Sequence, residues 1–141
     1  MHEDNVLKQV KINEATVTLR RDGIVHVLFH KNITLGLGLQ MLLLNIYNEI
    51  TERKKHPFIF EAFEGVRVTR EAKNNAIRIE DDAPGCAYAV VAKSLAYKII
   101  AGFYLQVKKP KSPYKVFSEK EEAIEWLKQF LPSAENANNA D

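Results

Sequence analysis

Ala15, Val17 and Leu19 alternate with Thr16, Thr18 and Arg20. After Arg21-Asp22-Gly23 the alternation resumes, with Val25, Val27 and Phe29 set against His26, Leu28 and His30. Period-two patterning on both sides of an Asp-Gly pair predicts two antiparallel strands joined by a tight type I′ turn. Val6, Val10 and Ile12 hint at a further strand inside the polar N-terminal segment, residues 1–14. From Thr34, a cap candidate, the period becomes helical and runs to about Arg53. Leu39, Leu42, Leu43, Ile46 and Ile50 make one apolar stripe, the expected core face, and Leu37, Met41 and Leu44 make a second on a neighbouring face.

Downstream, Pro57 ends a turn, and Phe58 to Phe63 reads as a short, mostly buried strand. Thr69 is placed to cap a helix with Ala72, Ala76 and Ile79 on one face, and Glu80-Asp81-Asp82 followed by Pro84-Gly85 stops it. The unbroken apolar run Cys86 to Ala92 predicts a central strand covered on both faces. Ser94 is the cap candidate of a helix with Ala96, Ile99, Ile100 and Phe103 inward; a lysine-proline loop and the strand Tyr114–Phe117 follow. Ser118 and Glu121 have capping-box spacing ahead of a last helix carrying Ala123, Trp126, Leu127 and Phe130. The order β-β-α-β-α-β-α-β-α predicts an α/β fold: a mixed sheet of about five strands, opened by the hairpin, with about four helices packed on it. Residues 15–131 form the single domain of this reading, and 132–141 a disordered polar tail.

Composition narrows the classes. An apolar fraction of 46% is ordinary for a globular chain, and a net charge of +2 does not by itself call for a nucleic-acid partner. One cysteine, Cys86, excludes an internal disulfide and multi-cysteine metal sites, and fits a buried thiol in a reducing compartment. The polar start has no secretory h-region, and the window Ile33 to Ile50 is too polar and too short to span a bilayer. The expectation is a soluble, cytoplasmic protein without stable membrane insertion.

Candidate chemistry is sparse. His26 and His30 share a strand face but stand about 13 Å apart at strand rise, too far to ligate one metal ion, and His2 and His56 fall in flexible or turn positions, so ordinary solvent-facing histidines are expected. Gly36 and Gly38 resemble the start of a dinucleotide loop, but the third glycine position is Met41. No nucleophile elbow occurs, and Asp81 and Asp82 are adjacent at a helix end and diverge; the reading is no enzyme, no cofactor and no metal site. Lys108, Lys109, Lys111 and Lys115 form a basic loop able to meet a phosphate or anionic headgroup, with Lys108, Lys109 and Lys111 as the expected anion contacts. The second stripe of the first helix, Leu37, Met41 and Leu44, has three readings: packing on another helix of the domain, a patch for a second copy, or a groove for an apolar ligand.

Three stretches, Asp22–Phe29, Val68–Lys73 and Gly102–Leu127, together with the element order, resemble the STAS and SpoIIAA-like group of anti-sigma-factor antagonists, and within it an uncharacterised bacterial subset. The resemblance covers about residues 15 to 131. It implies a bacterial regulatory interaction module with a protein partner or a second copy of itself. In phosphorylation-switched relatives a serine or threonine lies between the third strand and the next helix. The one hydroxyl in the corresponding stretch, Glu61–Glu71, is Thr69, and no Asp-Ser-Gly sequence surrounds it. STAS-like domains are similar in construction to lipid-carrying SEC14-type domains. That similarity implies, as the alternative function, a small carrier or sensor of an apolar or lipid-like anionic ligand.

Overall fold

The computed structural model describes residues 5–93 and 111–131. In chain order its elements are β1 (Val6–Lys11), β2 (Ala15–Arg20), β3 (Val25–Phe29), β4 (Thr34–Leu35), α1 (Leu37–Ile50), β5 (His56–Ala62), β6 (Arg67–Val68), α2 (Arg70–Arg78), β7 (Gly85–Val91), β8 (Tyr114–Phe117) and α3 (Lys120–Leu127). Short 3₁₀ turns follow α2 at Glu80–Asp82 and α3 at Lys128–Phe130. The helix expected from Ser94, the lysines Lys108 and Lys109, and the tail 132–141 lie outside the described residues.

Among the described residues, six strands form one mixed sheet in the order β1-β2-β3-β5-β7-β8. β1, β2 and β3 are antiparallel neighbours, while β3, β5, β7 and β8 run parallel. The sheet exceeds the five strands expected because the N-terminal segment supplies β1. The hairpin differs from the expected type I′ turn. Gly23 alone takes a positive φ, 94°, and the paired bonds Gly23 N–H to Arg20 C=O and Arg20 N–H to Ile24 C=O close a three-residue loop. Asp22 accepts the Ile24 N–H at 3.1 Å, which stiffens the turn.

Alternation along the strands sorts the core onto both sheet faces. Val17, Leu19, Val25, Val27, Phe29 and Phe58 pack with Leu43 and Ile50 of α1. On the other face, Ile24, Ile59, Ala87, Ala89 and Val91 pack with Ala123 and Leu127 of α3. The alanines of β7 leave room for α3 to sit close, and each fully buried leucine or phenylalanine contributes about 1.5–3 kcal/mol. Trp126 is half-buried, its ring 5.6 Å from Phe117 and 4.9 Å from Phe130.

Two expected caps are not used. Thr34 is drawn into β4, which pairs with β6 in a two-stranded parallel ribbon, so Gly36 stands at the α1 N-cap with no side-chain bond. Ser118 lies one residue too early: α3 starts from Glu119, which makes no side-chain cap bond. At its other end α1 closes with a Schellman pattern, Glu52 N–H to Glu49 C=O and Arg53 N–H to Asn48 C=O, with Glu52 and Arg53 both at positive φ.

Candidate functional site

The ribbon β4–β6 brings the starts of α1 and α2 together. Leu35 is in register with Val68, and the backbone N–H of Thr69 donates to Leu35 C=O at 3.0 Å. The two helices are then tied by amide side chains. Gln40 Nε2 donates to Ala72 C=O at 2.8 Å, and Asn75 Nδ2 donates to Gln40 Oε1 at 3.0 Å and reaches Met41 Sδ at 3.5 Å. Thr69 performs the capping expected of it: its Oγ1 accepts the Ala72 N–H at 3.1 Å.

At this end of the molecule the apolar surface is open. Leu37 is 46% exposed, Met41 40% and Val68 39%. The second stripe of α1 is therefore split, because Leu44 is buried and lines a cleft beside Asp82 and Pro84. Leu42, expected in the core stripe, is 47% exposed instead. Residues 39, 43, 46 and 50 lie within about 60° of one another on a helical wheel, and Leu42 falls just off that arc, toward solvent.

The polar groups singled out from the sequence are engaged in holding the fold. His26 Nε2 lies 2.9 Å from Glu61 Oε1 across β3 and β5, with both side chains largely covered. His30 bonds the Thr16 hydroxyl at 2.9 Å and the Asn13 carbonyl at 2.8 Å, and His56 bonds the Gly23 carbonyl at 2.8 Å. These three histidines are thus hydrogen-bonded strand and turn anchors, in place of the solvent-facing groups expected. The His26 hydrogen bond lowers the Glu61 pKa; burial opposes it, and the charges of His26, Lys120 and Lys93 assist. The Cys86 thiol donates to the Phe130 carbonyl at 3.7 Å, and burial pushes its pKa up, away from thiolate character.

Lys111, like Lys115 with its ammonium 5.4 Å over the Phe117 ring, lies within the described residues. The Lys111 ammonium lies 3.0 Å from Asp81, so an anion there competes with a carboxylate already in place. The Glu80 side chain, buried, accepts the N–H of Lys111 at 3.2 Å and of Ser112 at 2.7 Å. The acidic run that looked like a helix stop is also the anchor of the loop entering β8.

Clefts open on two sides of α1. One, of 420 Å³, is walled by polar side chains including Asn45, Asn48, Arg53 and Asp82; the other, of 280 Å³, lies between β1 and α1 at Val10, Ile46 and Ile50. No group of three or more His, Cys, Asp or Glu side chains able to hold a metal ion occurs among the described residues.

A family model described as "Domain of unknown function (DUF7793)" matches residues 17–131. The chain belongs to this family. Its matched span runs from β2 to the end of the last 3₁₀ turn and leaves β1 outside. No curated protein matches by sequence. Among solved structures, an uncharacterized protein from the DUF3478 family with a SpoIIAA-like fold, from Shewanella loihica PV-4, superposes with a TM-score of 0.56 at 7% identity, covering 85% of this chain and 90% of that one. The DUF7793 chain therefore has a SpoIIAA-like fold, in line with the resemblance drawn from its three motif stretches. No helix among the described residues is long and apolar enough to cross a membrane.

The ribbon β4–β6 and the Gln40–Asn75 clamp were not legible beforehand. Two-residue strands carry no periodicity, and amide pairs 35 residues apart leave no local signal. Val68 could have been noticed as an apolar residue between two arginines and a cap.

Proposed function

We propose that this DUF7793 chain is a STAS-type interaction module that acts by binding a protein partner, without catalysis, through the end where α1 and α2 begin. The observation that carries the reading is the open apolar surface of Leu37, Met41 and Val68, held on a rigid seat by the β4–β6 ribbon and the Gln40–Asn75 clamp. Exposed apolar side chains grouped on a rigid frame are the usual core of a recognition surface. Engagement of His26, His30, His56 and Glu80 in fold-holding bonds supports a binding role over acid–base chemistry. The SpoIIAA-like fold supports the same class by analogy.

The test is the double variant L37E/M41E. Both side chains are exposed, so it keeps the fold, read by circular dichroism and melting temperature, and loses the partner in affinity purification from the native host. Retention of the same partner at unchanged yield would refute the assignment of the surface.

A further inference from the structure

We propose that the segment received at this end is acidic and amphipathic, a stretch of partner protein carrying carboxylates beside apolar side chains. This rests on the interaction-surface reading above and adds the partner's chemistry. Arg67, Arg70 and Lys73 stand within seven residues around Val68 and Thr69, all exposed. None has a carboxylate within ion-pair distance among the described residues. The nearby acids do not balance them: Glu64 is already held by Lys31 at 3.5 Å, leaving Glu71. The first-turn N–H groups of α2 add the positive end of its dipole at the same place, with Thr69 taking one of them. Register sets these charges beside the apolar patch. Thr34 pairs with Arg67 and Leu35 with Val68, one residue before the N-cap of α1, and Asn75 touches Met41.

The two kinds of group have different jobs. Burying Leu37, Met41 and Val68 supplies affinity. Exposed cations add little affinity each, but they select the sign of the partner and speed encounter, an effect that salt screens over a Debye length of about 8 Å at physiological ionic strength. An all-phosphate partner would leave the apolar trio in water, and a purely apolar one would leave three cations unmatched. An acidic segment with an apolar face satisfies both.

The experiment uses three short helical peptides with identical leucine positions whose remaining positions are Glu, Gln or Lys. They are titrated into the full isotope-labelled chain and followed by amide NMR, with vesicles of anionic lipid as a fourth probe. The proposal expects the Glu peptide to shift amides near Leu37, Met41, Val68 and Arg70. It also expects several-fold weaker binding of that peptide in R70Q/K73Q and at raised salt, weaker binding of the Gln peptide, and none of the Lys peptide. Equal binding of all three at this end would overturn the acidic partner while leaving the docking surface intact. Shifts elsewhere, or none with any peptide, would overturn both. Vesicle binding through these residues without peptide binding would overturn a protein partner in favour of a lipid surface.

Discussion

Glu80 and Ser112, 32 residues apart in sequence, meet where the Glu80 carboxylate accepts the Ser112 N–H at 2.7 Å. With its other oxygen on Lys111 N–H, one buried side chain fixes the entry of β8, the edge strand that leads into α3. Removing it strands two partly buried donors. Glu80→Ala should cost about 1–3 kcal/mol, since an unsatisfied donor forfeits its hydration as well as its bond. Urea unfolding measures the loss, and hydrogen exchange should show the Ser112 amide exchanging faster in the variant. An unchanged midpoint and unchanged exchange would mean that the loop is held by other contacts.

His26 and Glu61 give a signed pH effect. The Glu61 pKa is lowered in the folded state, chiefly by the His26 hydrogen bond. A depressed carboxylate pKa contributes stability that is present above the unfolded value, about 4.3, and is lost as pH falls through the folded value. The melting temperature should drop on acidification across that window, and Glu61→Gln should flatten this part of the profile. Parallel acid limbs in wild type and variant would remove Glu61 from the account.

Thr69 is a helix cap in this structure, and its replacement by alanine should cost about 1 kcal/mol, the usual worth of an N-cap hydroxyl. Thr69→Ser keeps the acceptor and should stay near wild type. Thermal denaturation of the pair separates the lost cap from the lost methyl group.

Two glycines should resist alanine. Gly85 lies under the Tyr88 ring, which is stacked on Phe60 at 6.0 Å and cannot swing away freely; an added methyl there collides with the phenol. Gly65 has φ +80°, and its missing Cβ would meet the Asn32 side chain. Each substitution should destabilise by about 1–3 kcal/mol, from overpacking in the first case and from backbone strain plus collision in the second. Melting temperatures indistinguishable from wild type would show that both sites can relax.

The strands and helices of the main layers were readable because their burial is periodic: the Val17–Leu19 and Val25–Phe29 alternations map directly onto the α1 face of the sheet. The parts that shape the candidate site were not. Thr34 has the chemistry of a cap, yet its backbone pairs with Arg67, a choice set by a partner 33 positions away. Leu42 is exposed though expected in the core stripe, and Leu44 is buried while Leu37 and Met41 of its stripe are not, because two overlapping apolar stripes on one helix leave its rotation undetermined in sequence. The histidines looked idle in sequence because their partners, Glu61, Asn13 and Gly23, are brought close only by sheet register and turn closure.

The most direct test of the interaction surface is site-specific photo-crosslinking in the native host, with a photoreactive side chain placed at Met41, at Val68 or, as control, at exposed Asp22 on the far hairpin. The account predicts one discrete protein adduct, shared by positions 41 and 68, absent from position 22 and lost when Leu37→Glu is added. An adduct of equal strength from position 22, or none from positions 41 and 68, would contradict it.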